Sequence, residues 1–165
     1  MNVAFTGSHG TGKTTAAFKS CYELKLDYPN KKVGILYDLN RFAPKFNKNG
    51  DESSQSWIFH NRISEENKMS DRYPILVCDR TIFDVIAYSY YLTLYGLAKD
   101  QLAVAKLRIN FYDKIIFKTI KNNDYLTDNN CRDVNDLNFR KDIEDILMDI
   151  YKELGITKSS KFVVV

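Results

Sequence analysis

The sequence has few of the residues that build metal clusters or disulfide frameworks. It contains two histidines and three cysteines, and no two cysteines have the Cys-x-x-Cys spacing. An odd number of widely separated cysteines favours reduced thiols over a disulfide scaffold. We therefore expect neither a cysteine–histidine metal site nor a disulfide-stabilised secreted domain. The residues concerned are His9, His60, Cys21, Cys78 and Cys131.

Long hydrophobic runs and a strong charge of one sign are also absent. No stretch is long and apolar enough to cross a bilayer, and residues 1–5 run straight into a glycine-rich loop, which leaves no room for a signal peptide. The 24 basic and 21 acidic residues give a net charge of +3, too small an excess to indicate nucleic acid by itself. We expect a cytoplasmic protein with no membrane partner. Its oligomeric state stays open.

Glycine and proline are scarce, with seven and three residues, while 44% of the chain is hydrophobic and 27% is charged. This composition is typical of globular proteins and excludes fibrous or disordered classes. A chain of 165 residues is long enough for one hydrophobic core but not for two independent ones. The sequence predicts a single domain over residues 1–165.

Three of the seven glycines lie in one short loop between an apolar run and a helical pattern. The loop has the form Gly-x-x-x-x-Gly-Lys-Thr, in which backbone N–H groups surround phosphates at a helix N-terminus. Lys13 is expected to reach the β- and γ-phosphates, and the Thr14 hydroxyl to ligate Mg²⁺. The alternative is a chance match in an ordinary glycine turn. The predicted binding residues for ATP or another nucleoside triphosphate are Gly7, His9, Gly10, Thr11, Gly12, Lys13, Thr14 and Thr15.

Apolar runs alternate with helical patterns along the whole chain. The pattern predicts strands over residues 3–5, 33–37, 75–78, 115–117 and 162–165. It predicts helices over residues 13–26, from Ser53 or Ser54 to about 72, over 82–95 with Gly96 as a left-handed cap, over about 101–112, and from 139 to 154. This order predicts an α/β fold with a five-stranded parallel sheet, helices on both faces, and a site at the carboxyl ends of the strands.

Acidic and basic residues follow two of the predicted strands. Asp79 directly follows the third strand, where an acid can hold Mg²⁺ or its water, and Arg80 comes next and is expected to point at the same phosphates. Asp38 and Arg41 open an irregular loop after the second strand, where a carboxylate can accept a hydroxyl proton and a guanidinium can bind a phosphate. The alternatives are a helix cap for Asp79 and solvated loop residues for the other pair. Which of Asp38 and Asp79 acts as the base stays open.

Further candidates lie on the next helix and beyond. Asp84 and Tyr88 are four residues apart and face one side, so they are candidates for an acceptor pocket, although Tyr88 equally suits a core. Polar residues over about 121–138 predict a lid that carries Arg132, and Arg140 begins the following helix. Arginines on a closing lid can cover a transferred phosphate, whereas the alternative for both is a solvated charge.

These motifs together resemble the NadR/Ttd14-like P-loop ATPases and kinases, a family abundant among phage proteins and related to thymidylate and deoxynucleoside kinases. The resemblance covers nearly the whole chain, and it implies a three-layer P-loop fold with a lid, in host cytoplasm if the chain is phage-encoded. It rests on residues 7–14, on Asp38-Leu39-Asn40-Arg41, on Cys78-Asp79-Arg80-Thr81 with Asp84 and Ala87-Tyr88, and on Arg132 with Phe139-Arg140.

Two positions depart from the family pattern. The family usually has Glu where Asp38 stands, and Asp is shorter by one methylene group. It also has an acidic-Gly pair where this chain has Asn129-Asn130, and Asn is the next-best residue for a left-handed backbone. These departures weaken the predicted role of Asp38 as a base more than they weaken the predicted role of the lid.

We therefore expect an ATP- and Mg²⁺-dependent phosphotransferase acting on a nucleoside, a nucleotide or a related small metabolite. The resemblance also implies an alternative, a phage-type kinase of hydroxymethyluracil in DNA, which needs a basic cleft. A second alternative is a nucleotide-dependent switch or binding module with slow hydrolysis and a protein partner. The residues available for the basic cleft are Lys45, Lys48, Arg62 and Lys68.

Overall fold

The computed structural model describes residues 1–43, 50–121 and 136–165, apart from the side chain of Arg41. Five strands in these ranges form one parallel sheet in the order β2-β3-β1-β4-β5, which confirms the predicted α/β fold. The strands are β1 (Asn2–Thr6), β2 (Val33–Leu36), β3 (Ile75–Asp79), β4 (Lys114–Phe117) and β5 (Phe162–Val164).

Helices lie on both faces of the sheet. The helices are α1 (Lys13–Asp27), α2 (Glu52–Arg72), α3 (Ile82–Tyr91), α4 (Tyr95–Lys106) and α5 (Leu137–Glu153). Side chains of β1 alternate between the faces: Val3 and Phe5 pack against α1, and Ala4 belongs to the larger core with α2, α3 and α5.

The central strand β1 sets the position of the strand ends. Phe5 lies opposite Asp79 of β3 and Ile116 of β4, and Thr6 lies opposite Phe117. Because the strands are parallel, their carboxyl ends meet at one edge of the sheet. The segments that leave this edge carry most of the polar residues singled out above.

The third predicted helix ends four residues earlier in the structure. The segment predicted as residues 82–95 breaks after Tyr91, where Thr93 has a φ of 60° and the Leu94 amide donates to the Ser89 carbonyl at 3.0 Å. Gly96 is therefore not a left-handed cap but the second residue of α4. The helix predicted at about 101–112 accordingly begins at Tyr95 and ends at Lys106, and Ile109–Phe111 form a short 3₁₀ helix.

The start of α2 also differs from the prediction. The cap is Asp51 rather than Ser53 or Ser54, because the Asp51 carboxylate accepts a hydrogen bond from the Ser54 amide at 2.6 Å. In the loop that was predicted to be irregular, Leu39–Phe42 form a 3₁₀ turn. In the described ranges, no helix combines the length and the apolarity that a membrane crossing requires.

Candidate functional site

The glycine-rich loop joins β1 to α1 and has a left-handed backbone at two glycines. Gly10 has a φ of 75° and Gly12 a φ of 72°, values that residues with a Cβ atom rarely adopt. Gly7, with a φ of 131°, is also held by space, because a Cβ there would overlap the carbonyl oxygen of Lys118 after β4. The loop is thus fixed by its own glycines and by the neighbouring strand end.

Polar groups of the loop turn inward. Lys13 is 4% exposed, and its ammonium donates to the Ser8 carbonyl and to the Thr11 hydroxyl, the latter at 3.3 Å. The Ser8 hydroxyl is buried and has no hydrogen-bond partner among the residues that the structure describes. Thr14 and Thr15 are exposed in the first turn of α1. A buried hydroxyl without a partner and a buried ammonium match the donor chemistry of an anion site.

Thr14 of α1 and Asp79 of β3 are in direct contact. The Thr14 hydroxyl donates to Asp79 Oδ2 at 2.7 Å, across the gap between α1 and the end of β3. A hydroxyl and a carboxylate are hard oxygen ligands of the kind that Mg²⁺ prefers. In the described part of the chain no group of three His, Cys, Asp or Glu residues could hold a metal by itself. These two residues fit a cation that is completed by phosphate oxygens and water.

A buried ion pair lies next to this contact. The Arg80 Nε donates to Asp38 Oδ2 at 2.7 Å, and its Nη1 lies 3.4 Å from Asp84 Oδ1. The two side chains of the closer pair are 7% and 18% exposed. Burial lowers the pKa of Arg80, but the negative charge of Asp38, and then of the other acids nearby, raises the pKa by more, so that it lies above its usual value. The guanidinium therefore stays charged.

The backbone of Arg80 is unusual. Its φ is 79°, a left-handed conformation at a residue with a long side chain. The Arg80 amide still donates to β1, to the Phe5 carbonyl at 2.8 Å, and the left-handed backbone then turns the chain from the end of β3 towards α3. This turn directs the Arg80 side chain towards the loop that follows β2 rather than along α3.

Asp84 is almost fully enclosed by protein. Its Oδ2 accepts from the Thr6 hydroxyl at 2.9 Å and from the Thr81 amide and hydroxyl, each at 2.8 Å, and the residue is 1% exposed. The structure thus places Asp84 beneath Arg80, where its second oxygen helps to orient the guanidinium. Its predicted contact with an acceptor stays a prediction.

His9, Tyr88 and Arg140 connect the loop to α3 and α5. The Arg140 Nε donates to the His9 carbonyl at 3.1 Å, and the residue is 1% exposed, so the interpretation as a solvated charge is wrong. The His9 ring lies 4.6 Å from the Phe139 ring, and its Nδ1 lies 3.3 Å from the Tyr88 hydroxyl. The Tyr88 ring in turn faces the Arg80 guanidinium at 5.8 Å.

Some predicted residues cannot be placed. Arg132 and nearly all of the predicted lid at about 121–138 lie outside the described residues, as do Lys45, Lys48 and the Arg41 side chain. The structure thus brings together Lys13, Thr14, Asp38, Asp79 and Arg80, with Asp84, His9, Tyr88 and Arg140 around them.

One functional candidate was misinterpreted in the sequence. Arg62 was considered for a basic cleft, but it is 2% exposed and pairs with Glu66 at 2.9 Å, so it contributes no basic surface. The signal was present: an i,i+4 Arg–Glu pair follows Ile58 and Phe59 on the apolar side of the helix. Lys68 is exposed and pairs with Glu65 at 2.7 Å.

The sheet order and the glycine-rich loop together define a P-loop protein with the fold of P-loop kinases. Two solved structures have this fold over 100% of the chain: a deoxyadenosine kinase from M. mycoides solved with dCMP and dCDP, and a thymidylate kinase from Ehrlichia chaffeensis. The first has a TM-score of 0.65 and 15% identity over 89% of its chain, and the second 0.62 and 22% over 86%.

A family model described as an AAA domain matches residues 45–160, and the chain belongs to this family. The matched residues begin after the glycine-rich loop, so the match does not include the loop. No curated protein matches the chain.

Proposed function

We propose that the protein is an ATP- and Mg²⁺-dependent phosphotransferase that acts on a nucleoside, a nucleotide or a related small metabolite. The observation that carries this proposal is the Asp38–Arg80 pair, 2.7 Å apart, beside the Thr14–Asp79 contact. Thr14 and Asp79 account for the donor side of a phosphoryl transfer. Next to them, the buried Arg80 guanidinium holds the partly exposed Asp38 carboxylate. A carboxylate in this position suits the acceptor side, because it can take the proton of an acceptor hydroxyl.

On the donor side, the loop would hold the triphosphate of ATP or another nucleoside triphosphate. Lys13 already donates within the loop, so phosphate oxygens would replace the Ser8 carbonyl as its acceptors. The unpartnered Ser8 hydroxyl and the left-handed glycines fit the same anion. Thr14 and Asp79 would hold Mg²⁺, which neutralises charge on the phosphates during transfer.

On the acceptor side, Asp38 would take the proton of the acceptor hydroxyl. Its Oδ1 accepts from the Asn40 amide at 3.1 Å and its Oδ2 from Arg80, and these contacts fix the direction of the carboxylate. The acceptor oxygen forms a bond to the γ-phosphorus as the bond to the β,γ-bridging oxygen breaks. The proton goes to Asp38 and the nucleoside diphosphate leaves. With a phosphate acceptor, Arg80 would bind the anion and no proton transfer is needed.

Several predicted residues complete this proposal. Arg132 of the lid would cover the transferred phosphate, and Arg41 would bind the acceptor. Tyr88 is 8% exposed, with its ring against Arg80, and would border the acceptor. Arg140 would hold the glycine-rich loop in place, since its side chain binds the His9 carbonyl of that loop. The names of the two kinases with this fold support a nucleoside or nucleotide as the acceptor class.

The experiment that tests the proposal follows labelled phosphate from ATP. The protein is incubated with γ-labelled ATP and Mg²⁺ against separate pools of nucleosides, nucleotides, nicotinamide riboside and hydroxymethyluracil-containing DNA. We expect label in a small-molecule pool, and loss of that label in Asp38→Asn. Label in DNA alone would favour the DNA kinase. Label released only as inorganic phosphate, at a rate that Asp38→Asn does not change, would favour the switch.

A further inference from the structure

Arg62 lies in the middle of α2 and is one of the few buried charges that the proposed reaction does not use. Its guanidinium reaches three backbone carbonyls that belong to two strand ends. Nη1 donates to the Asp79 carbonyl at 3.0 Å and to the Tyr37 carbonyl at 3.3 Å, and Nη2 donates to the Arg80 carbonyl. One side chain thus ties the segment after β2 to the segment after β3.

Each of these three carbonyls lies at or next to a residue of the candidate site. Tyr37 precedes Asp38, and the other two carbonyls belong to Asp79 and Arg80 themselves. Arg80 holds a left-handed backbone, with a φ of 79°, which a residue with a Cβ adopts only when its surroundings enforce it. Arg62 binds the carbonyl of Arg80, and the Phe5 carbonyl binds its amide, so both backbone polar groups of Arg80 are held by other parts of the fold.

Arg62 is itself fixed by a buried acid. Its Nε donates to Glu66 Oε1 at 2.9 Å, and the same oxygen accepts from the Tyr112 hydroxyl at 2.5 Å. The other oxygen of Glu66 accepts from Arg108 Nη2 at 3.1 Å. Burial lowers the pKa of Arg62, and the Glu66 carboxylate raises it by more, so the side chain stays charged.

We propose that Arg62 is a positioning residue, which holds Asp38, Asp79 and Arg80 in their relative geometry without touching substrate. The inference rests on the proposed function for its catalytic consequence. Three carbonyls in two segments require the planar fork of a guanidinium, because it has five N–H donors in fixed directions. A lysine ammonium keeps the charge but cannot span the same three acceptors from one stem.

The test compares Arg62→Lys with Arg108→Lys as a matched control. Both arginines bind Glu66, but within the described ranges the side-chain hydrogen bonds of Arg108 go to Glu66 and Asn67 and none goes to a strand-end carbonyl. Hydrogen exchange of the Arg80 and Thr81 amides measures the stability of the turn at Arg80. The values of kcat, KM and the Kd for Mg-ATP show how that turn affects catalysis and binding. Melting temperatures identify any general loss of stability.

In Arg62→Lys we expect the Arg80 and Thr81 amides to exchange about 10- to 100-fold faster, the scale of one or two lost charge-assisted hydrogen bonds. We expect kcat to fall by a similar factor, with KM and the Kd for Mg-ATP within about twofold of wild type, because a positioning residue affects the transition state more than ground-state binding. Arg108→Lys should leave the amide exchange and kcat near wild type.

Unchanged exchange in Arg62→Lys, or equal changes in the two variants, would overturn the proposal, and so would faster exchange with unchanged kcat. If Arg62→Lys does not fold, Arg62→Met combined with Glu66→Gln removes the hydrogen bonds of Arg62 to the three carbonyls without leaving a buried charge alone. The same measurements on this double variant then test the proposal. A wild-type protein that binds Mg-ATP but transfers no phosphate would refute the proposed function. Amide exchange then still decides whether Arg62 holds the turn.

Discussion

Single side chains at the strand ends each make two kinds of contact. Asp38 begins the 3₁₀ turn at Leu39–Phe42 through the Asn40 amide and pairs with Arg80 through its other oxygen. Asp79 ends β3 and accepts from Thr14. Because both carboxylates have a structural contact as well as a proposed chemical one, substitutions that preserve shape but change charge separate the two roles.

Asp38→Asn should reduce transfer to the acceptor by about 10² to 10⁴, the usual scale for a positioned base. Binding of ATP should hardly change, since Asp38 faces the acceptor side. Asp38→Glu should retain much of the activity if the turn accommodates one methylene group. A purely structural Asp38 would give the reverse ranking, with Asn tolerated and Glu not. Steady-state kinetics of the two variants, with melting temperatures as the control, distinguish these outcomes.

Asp79→Asn should lower turnover by about 10²-fold, the scale of losing one electrostatic contact in a transfer site. The amide oxygen can still accept from the Thr14 hydroxyl, so the local structure and the affinity for nucleotide should change little. The variant should also need more Mg²⁺ for half-maximal rate, because the proposed metal loses an anionic ligand. The structure excludes the alternative of a helix cap for Asp79, because Thr81 caps α3. Normal turnover at ordinary Mg²⁺ concentrations would leave Asp79 with a structural role only, as the acceptor of the Thr14 hydrogen bond.

At the scale of elements, the start of α3 joins the sheet to two helices. The Thr81 hydroxyl caps α3 together with Asp84, in a reciprocal capping box. The same hydroxyl lies 3.1 Å from the Tyr151 hydroxyl of α5, which donates to the Thr6 hydroxyl of β1 at 2.9 Å. Burial raises the pKa of Tyr151 well above its usual value, so the hydroxyl remains protonated and can donate.

Thr81→Ala should therefore destabilise the protein by about 1 to 2 kcal/mol, since a lost N-cap costs about that much. The melting temperature should fall by about 2 to 8 °C, on the scaling of about 2 to 4 °C per kcal/mol for a chain of this size. Thr81→Ser keeps the hydroxyl and serves as the matched control, with a smaller loss. Equal losses in the two variants would mean that the Thr81 methyl group, not the cap, stabilises this corner.

The elements that sequence predicted best are those with a strong local signal. The glycine-rich loop and the strands fall where apolar runs and glycine spacing place them. The break at residues 92–94 has no such signal, because Leu102 and Ala105 of α4 pack into the same core as the apolar residues of α3. The hydrogen bonds from Arg62 to the strand ends could not be predicted either, because their acceptors are carbonyls that only the tertiary fold brings to α2.

At the scale of the whole molecule, binding at the loop should stabilise the fold. Mg-ATP at about 100 times its Kd contributes about 2.7 kcal/mol by linkage, if it binds only the folded state. The expected rise in melting temperature is about 5 to 10 °C. Lys13→Ala should abolish phosphotransfer and most of this rise, while its melting temperature without nucleotide stays near wild type. Differential scanning fluorimetry with and without Mg-ATP makes the measurement, and an equal rise in Lys13→Ala would place the nucleotide elsewhere.

The central position of β1 has a consequence for synthesis on the ribosome. Its hydrogen-bonded neighbours are β3 and β4, and β3 begins 73 residues after β1. At about 5 to 20 residues per second, roughly 4 to 15 s pass between translation of β1 and translation of β3. Over this interval Val3, Ala4 and Phe5 have no neighbouring strand with which to pair. We therefore expect nascent β1 to bind chaperones that recognise short apolar segments.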